Sequence, residues 1–133
     1  MNHPQKTNPS NSRASKIIEV TDFTYNHFKE IADKTDFLQK EWSDILHISD
    51  RTLQRYARDI GTFNFSVTDR ILQIDKVLER GKEVFGSYAK FILWLREEPL
   101  TYEGHLSLHS LATFEGINQV LTQIGRIEHG ILL

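Results

Sequence analysis

The chain has 133 residues, enough for one domain or for two very small ones that share a core. It contains no cysteine, which excludes disulfides and thiolate metal sites and suits a reducing cytoplasm. Its formal net charge is −2, which is a poor balance for a nucleic-acid binder. Residues 1–80 hold twelve basic and twelve acidic side chains and residues 81–133 hold four and six, so the deficit lies in the C-terminal part.

The first 20 residues lack the apolar core of a signal peptide, and their polar composition predicts a disordered arm. Arg13 and Lys16 could reach into a DNA groove, and a plain flexible terminus is the alternative. The longest apolar stretch, Phe91 to Leu95, is far shorter than the ~20 residues that cross a bilayer, so no membrane span is expected. We therefore expect a cytoplasmic protein.

Helical periodicity runs through almost all of the remaining chain, and no strand-like alternation competes with it. This pattern predicts an all-α fold. A first helix is expected after a cap at Thr21 or Asp22. A second helix is indicated by apolar residues at helical spacing, and Trp42 among them is expected in the core with its indole nitrogen hydrogen-bonded at the edge.

The segment HISDRTLQRYARD, residues 47–59, predicts a tight turn followed by another helix. Ser49 is placed to cap that helix, and Asp50 lies in its first turn, where the helix dipole favours an anion. Ile48 and Leu53 form a hydrophobic staple across the cap. Leu53, Tyr56 and Ala57 are expected to face inward. The two consecutive helices thus predict a helix-turn-helix.

The outward face of this helix carries arginine and glutamine, the residue types that recognise DNA. Arginine pairs bidentately with guanine or clamps phosphates, and glutamine reads adenine, when the helix end fits the major groove. An ordinary solvated face is the alternative interpretation. The candidate DNA-binding residues are Ser49, Arg51, Thr52, Gln54, Arg55 and Arg58.

A long helix is predicted from a capping-box-like start at Ser66 to a left-handed end at Gly86. Ser87 is expected to cap the next helix, which is buried on most of its circumference and ends near Pro99. An irregular stretch over residues 100–105 and one helical turn over residues 107–111 follow.

Thr113 is expected to cap the last helix, which carries an apolar stripe at Ile117, Val120, Leu121, Ile124 and Ile127. The chain ends in Ile-Leu-Leu. Exposing such a tail to water gains an isolated protein little, so it either folds back onto its own core or meets a partner.

The C-terminal half resembles the toxin-binding domain of the Xre/MbcA/ParS antitoxin family. The resemblance rests on VFG at 84–86, WLREEP at 94–99, Gly104, SLHSLATFEG at 107–116 and GRIEHG at 125–130. Upstream, ISDRTLQR at 48–55 is similar to the helix-turn-helix of the same family. After the predicted arm at 1–20, the resemblance implies a helix-turn-helix domain at 21–65 and a toxin-binding and dimerisation domain at 66–133.

Antitoxins of this family are all-helical, dimerise, repress their own operon and pair with RES-domain toxins, which resemble ADP-ribosyltransferases and consume NAD. The resemblance therefore implies a homodimer with two partners, the cognate RES-domain toxin and operator DNA. It also implies that the end of the last helix approaches or plugs the toxin's active site. The implied toxin-binding residues are Arg126, Glu128, His129, Gly130, Ile131, Leu132 and Leu133.

Three residues depart from the family's usual pattern: Leu38 replaces a frequent capping serine, His47 a small turn residue and Ser107 a frequent proline. His47 predicts a less sharp turn, although histidine adopts the left-handed conformation more readily than most residues. The third departure is expected to change only how the short helix begins.

No cofactor, metal or enzymatic activity is expected. His105 and His109 share an i, i+4 spacing without a nearby carboxylate, and two polar surface side chains are the simpler interpretation. The sequence contains no nucleotide-binding glycine loop or nucleophile motif. Two binding alternatives remain, a stand-alone dimeric repressor and a structural adaptor that no longer contacts DNA.

Overall fold

The computed structural model describes residues 23–59 and 62–130, and the predicted N-terminal arm lies outside these ranges. The predicted all-α class is confirmed. The helices are α1 (Tyr25–Ala32), α2 (Gln39–Leu46), α3 (Asp50–Arg58), α4 (Phe65–Phe85), α5 (Tyr88–Arg96), a 3₁₀ helix (Leu108–Ala112) and α6 (Phe114–Glu128). Across the described ranges, none of these helices combines the length and the apolar character that a bilayer crossing requires.

Helix α1 begins after Thr24, whose backbone N–H donates to Nδ1 of His27 at 3.1 Å. The predicted caps Thr21 and Asp22 lie outside the described residues. Phe28 and Ile31 are buried on one face of α1, and Phe28 meets Trp42 edge-on with ring centroids 5.0 Å apart. This aromatic contact joins α1 to α2.

Helices α2 and α3 form the predicted helix-turn-helix. His47 ends α2 in the left-handed conformation, with φ 60° and ψ 37°, so the turn closes with the geometry that a glycine would supply. Ser49 caps α3 as predicted, and its hydroxyl accepts from the Thr52 amide at 3.0 Å. Leu53 is buried as expected, but Ala57 is exposed, because only one narrow side of this short helix packs inward.

Trp42 lies in the core, with 3% of its surface exposed. Its indole Nε1 was expected to find a hydrogen-bond partner at the edge, and this prediction is wrong: within the described ranges the buried Nε1 has none. The ring is enclosed by Phe28 and Phe37 instead, at centroid distances of 5.0 and 5.2 Å. Aromatic packing therefore holds Trp42 in place.

Helix α4 has 21 residues and is the longest element of the described ranges. Its N-cap is Asn64, whose side chain accepts from the Val67 amide at 2.9 Å, and not Ser66 as predicted. The Ser66 hydroxyl donates to the same Asn64 oxygen, so it supports the cap from inside the first turn. Gly86 ends the helix with φ 100°, as predicted.

Helix α5 is capped by Ser87 as predicted, and Phe91, Ile92 and Leu95 are buried. It is less enclosed than expected, because Leu93 is 60% exposed and the helix packs mainly on α4. The stretch predicted to be irregular forms a short antiparallel hairpin of β1 (Leu100–Thr101) and β2 (Gly104–His105), with Thr101 opposite Gly104.

Helix α6 is capped by Thr113, whose hydroxyl accepts from the Gly116 amide at 2.9 Å. Its predicted stripe is buried at Ile117, Val120 and Ile124 and half-buried at Leu121 and Ile127, so the buried face is centred in the first three turns. Gly130, with φ 74°, follows its end. The tail at residues 131–133 lies outside the described residues.

One continuous hydrophobic core runs from α1 to α6. Ile71, Ile74 and Leu78 on α4 are fully buried in this core, and α4 contacts α1 and α2 as well as α5 and α6. The 3₁₀ helix packs directly against α2 as well as against α6. The helix-turn-helix is therefore mounted on the C-terminal half.

Candidate nucleic-acid interface and C-terminal site

The candidate recognition helix is α3, which carries all but one of the predicted DNA-binding residues. The remaining predicted residue, Ser49, is the N-cap of α3. Ser49 and Thr52 are in contact, because the Ser49 hydroxyl also donates to the Thr52 hydroxyl at 2.9 Å. These two side chains are thus engaged in starting the helix. The remaining candidates lie on the exposed face opposite Leu53: Arg51, Gln54, Arg55 and Arg58.

The base of this face is fixed by aromatic packing. Tyr56 stacks on buried Phe63 with ring centroids 4.2 Å apart, and Phe63 packs in turn on Phe23 and Phe28. The Arg55 guanidinium lies 5.5 Å from the Tyr56 ring centre, a cation–π distance. The stack anchors the middle of α3 while its outer face stays open.

The ion pairs of the described residues leave the arginines of α3 without a carboxylate partner, as they do Arg70 on α4. None of the Arg51, Arg55 and Arg58 guanidinium groups lies within ion-pair distance of a carboxylate in the described part of the chain. By contrast, the arginines at 80, 96 and 126 each pair with at least one glutamate. Many of the carboxylates are therefore neutralised within the body of the molecule, and a cluster of positive charge remains on α3.

The second candidate site is the end of α6. Arg126 is held on the hairpin: its guanidinium donates to both carboxylate oxygens of Glu103, at 3.0 and 2.9 Å, and to the Gln123 side chain at 3.1 Å. It also lies 4.9 Å from the ring centre of Tyr102. The hydrogen bond from Arg126 lowers the pKa of the Glu103 carboxyl, so the pair stays charged at neutral pH.

Glu128 points to a different neighbour. It accepts from the Arg80 guanidinium on α4, which lowers the pKa of the Glu128 carboxyl. His129 is exposed beside it, with Nε2 3.8 Å from a Glu128 oxygen. The structure thus brings Glu128 and His129 together and directs Arg126 to a separate contact. Arg126 and Glu128 both already have intramolecular partners.

The partners of these groups could not be identified from sequence reasoning. Glu103 and Arg80 lie 23 and 48 residues from Arg126 and Glu128, and no periodicity relates side chains at such separations. The i, i+4 geometry of His105 and His109 is also absent, because one lies on β2 and the other on the 3₁₀ helix. The described residues contain no group of three or more metal-ligating side chains.

The arrangement defines a class of protein: a helix-turn-helix whose second helix is basic and exposed, joined to a helical body with a second polar site. Residues 23–74 match the family described as the antitoxin Xre-like helix-turn-helix domain. The match covers α1 to α3 and the first half of α4, so it extends past the predicted boundary at residue 65. It supports a DNA-binding regulator of the Xre antitoxin type. A search of curated proteins gives no match to the chain.

Proposed function

We propose that this protein is the antitoxin of a type II toxin–antitoxin pair, which neutralises a RES-domain toxin and represses its own operon as a dimer. It works by binding and not by catalysis. The observation that carries the DNA-binding part is the set of exposed guanidinium groups on α3 that have no carboxylate partner among the described residues. The family match over the same residues agrees with that role.

On DNA, α3 would enter the major groove with its N-terminal residues against the base edges. Arg51 and Gln54 would read bases from the first turns, and Arg55 and Arg58 would reach bases or flanking phosphates. Because the net charge of the chain is −2, affinity would depend on the local cluster and on two copies binding two half-sites.

The DNA-binding part is tested by fluorescence anisotropy with the DNA upstream of the protein's own gene, over a series of salt concentrations. We expect Arg51→Ala and Arg55→Ala each to weaken binding about tenfold. Lys90→Ala is the matched control, because it removes one exposed positive charge from α5, away from α3. Equal affinities for all three variants would argue against α3 as the reading helix.

The toxin-binding part is carried by the resemblance of residues 66–133 to a toxin-binding domain. We propose that the end of α6, with Arg126, Glu128, His129, Gly130 and the tail at 131–133, covers the active site of the toxin. On this proposal the guanidinium competes for an anionic ligand and the tail fills apolar space. The charged groups would exchange their present partners, Glu103 and Arg80, for groups on the toxin.

Growth rescue on co-expression with the product of the adjacent gene tests this part. Deleting residues 131–133 or replacing Arg126 with alanine should abolish rescue. Glu103→Gln is the control for Arg126, because it removes the negative charge of the Glu103 partner and leaves the guanidinium in place. Retained rescue by both the truncated chain and the Arg126 variant would refute the proposed toxin contact.

A stand-alone repressor is the second candidate function. It is supported by the exposed arginines of α3, which would contact DNA without requiring a toxin. The two functions differ in copurification: an antitoxin retains the adjacent gene product through size-exclusion chromatography, whereas a stand-alone repressor elutes as its own dimer.

A further inference from the structure

A polar link joins the turn of the helix-turn-helix to the C-terminal half. Nε2 of His47 lies 2.8 Å from the backbone carbonyl oxygen of Ala112, across 65 residues of sequence. A carbonyl oxygen only accepts hydrogen bonds, so Nε2 carries the hydrogen and donates it. The link therefore requires a donor at the position of the imidazole nitrogen, which a small turn residue lacks.

The backbone at His47 does not explain the choice of a histidine. With φ 60° this position is one that glycine adopts without strain, while a side chain with a Cβ is disfavoured there. The imidazole is thus present at a conformational cost. What it adds to the described structure is the hydrogen bond to Ala112.

The location of this bond is also informative. His47 lies two residues before Ser49, the N-cap of α3, and Ala112 lies directly before Thr113, the N-cap of α6. The bond therefore ties the start of the candidate recognition helix to the start of the last helix. At the opposite end of α2, Arg96 of α5 donates to Glu41 at 2.9 Å and to Asp36 at 2.9 Å.

Polar contacts consequently join both ends of α2 to the C-terminal half. Helix α3 begins just after the end of α2 at which His47 makes its contact. Helix α3 itself packs inward through Leu53 and through the stack of Tyr56 on Phe63, both in its middle, and the link at His47 adds a constraint on the side of its N-terminus. A change at the His47 link would be passed on to the angle of α3.

We infer that His47 is a positioning residue, which fixes the angle of α3 relative to the body of the molecule so that the helices of a dimer meet successive half-sites. This inference rests on the proposed DNA-binding function. Two recognition helices must match a spacing of about one helical turn of DNA, so a loosened angle lowers affinity without removing any contact residue.

Two variants separate positioning from stability. His47→Gly keeps the left-handed turn and removes the donor, so the urea midpoint is expected to change little. His47→Gln keeps an amide donor near the position of the imidazole Nε2 but strains the turn, so it should be the less stable of the two. If His47 only stabilised the fold, the less stable variant would also bind DNA more weakly. If His47 positions α3, the more stable variant, His47→Gly, binds DNA more weakly than His47→Gln.

The angle itself is measured by electron–electron double resonance between spin labels at Gln54→Cys on α3 and Thr122→Cys on α6, diluted with unlabelled protein. Both positions are exposed, and labelling is specific because the chain has no native cysteine. We expect one narrow distance distribution for the parent chain and for His47→Gln, and a broad one for His47→Gly. An unchanged distribution in His47→Gly would overturn the inference, whether or not the protein binds DNA.

DNA affinity is then measured with unlabelled protein. We expect His47→Gly to bind the upstream DNA about tenfold more weakly and His47→Gln to bind like the parent. Equal binding by all three, with a broadened distribution in His47→Gly, would also overturn the positioning role. A parent chain that binds no better than Arg55→Ala refutes the proposed DNA-binding function instead, and the distance measurement still decides whether His47 holds α3.

Discussion

At the scale of single residues, the arginines of this protein divide by their environment. Those on α3 face water without a carboxylate partner in the described structure, whereas Arg96 is a structural clamp. Arg96, the last residue of α5, donates to both carboxylate oxygens of Glu41 and to Asp36. Its guanidinium carbon lies 5.7 Å from the Phe37 ring centre. Bidentate pairs of this kind are stronger than ordinary surface ion pairs.

Acid should weaken this clamp. The hydrogen bonds from Arg96 lower the pKa of Glu41 below its usual 4.5, so in the unfolded chain Glu41 takes up a proton at a higher pH than in the folded protein. The stabilisation is therefore complete above about pH 4.5 and is lost as the pH falls through the folded-state pKa.

We expect Glu41→Gln to lower the free energy of unfolding at pH 7 by about 1 kcal/mol, since the pair is partly exposed. The difference between parent and variant should shrink toward pH 3. Urea unfolding over this pH range measures it, and Glu30→Gln is the control, because Glu30 is exposed and makes no ion pair within the described ranges. A difference independent of pH would show that the ion pair does not stabilise the fold.

At the scale of elements, two helical glycines differ in whether the packing of the described residues requires them. A Cβ on Gly81 of α4 would lie 2.3 Å from a ring carbon of Phe91, so this glycine is required where α4 and α5 approach closely. A Cβ on Gly125 of α6 would meet nothing within 4 Å. Gly125 therefore weakens its helix without serving any packing need in the described structure.

Opposite effects are expected from the same substitution at these two sites. Gly125→Ala should raise the free energy of unfolding by about 0.5–1 kcal/mol, because it improves helix propensity. Gly81→Ala should lower it by about 1–3 kcal/mol through overpacking. Thermal and urea unfolding measure both.

Phe91→Leu provides the control for the overpacking. Combined with Gly81→Ala, it should recover part of the lost stability relative to the sum of the two single changes. Additive effects would show that the ring of Phe91 is not what excludes a side chain at position 81. For Gly125→Ala, lower stability would contradict the open surface at this site.

At the scale of the whole molecule, the helix-turn-helix and the C-terminal half share one core and are also joined by polar contacts. The predicted division at residue 65 falls at the first residue of α4, the helix whose buried side chains serve both sides. The boundary remains a prediction about function. The packing indicates that the two parts fold together.

A single cooperative unfolding transition is therefore expected. The chain has one tryptophan on each side, Trp42 on α2 and Trp94 on α5. The Trp42→Phe variant keeps only Trp94, so its fluorescence reports the C-terminal half, and the Trp94→Phe variant keeps only Trp42, so its fluorescence reports the helix-turn-helix. Within each variant, the urea midpoint measured by fluorescence should equal the midpoint measured by far-ultraviolet circular dichroism. Separate midpoints would show that the two parts unfold independently.

Local features of this protein were predictable from its sequence because their causes are local. The caps at Ser49, Ser87 and Thr113 and the end at Gly86 each depend on residues within one turn, and the apolar spacing identified the buried faces of α4 and α6. Two of the failures were also local: Asn64 precedes Ser66 and caps the helix, and the short hairpin at 100–105 lacks the length that strand alternation needs.

Only the tertiary structure decided which charges lie without an ion-pair partner in the described residues and what holds α3. The contacts of Arg96 with Glu41, Arg126 with Glu103 and His47 with Ala112 span 55, 23 and 65 residues. Such pairs form because packing of the apolar faces brings distant segments together, and the sequence around either partner carries no mark of the other. The sequence by itself determined that α3 would be a capped, amphipathic, arginine-bearing helix. The fold determined how α3 is packed relative to the C-terminal half.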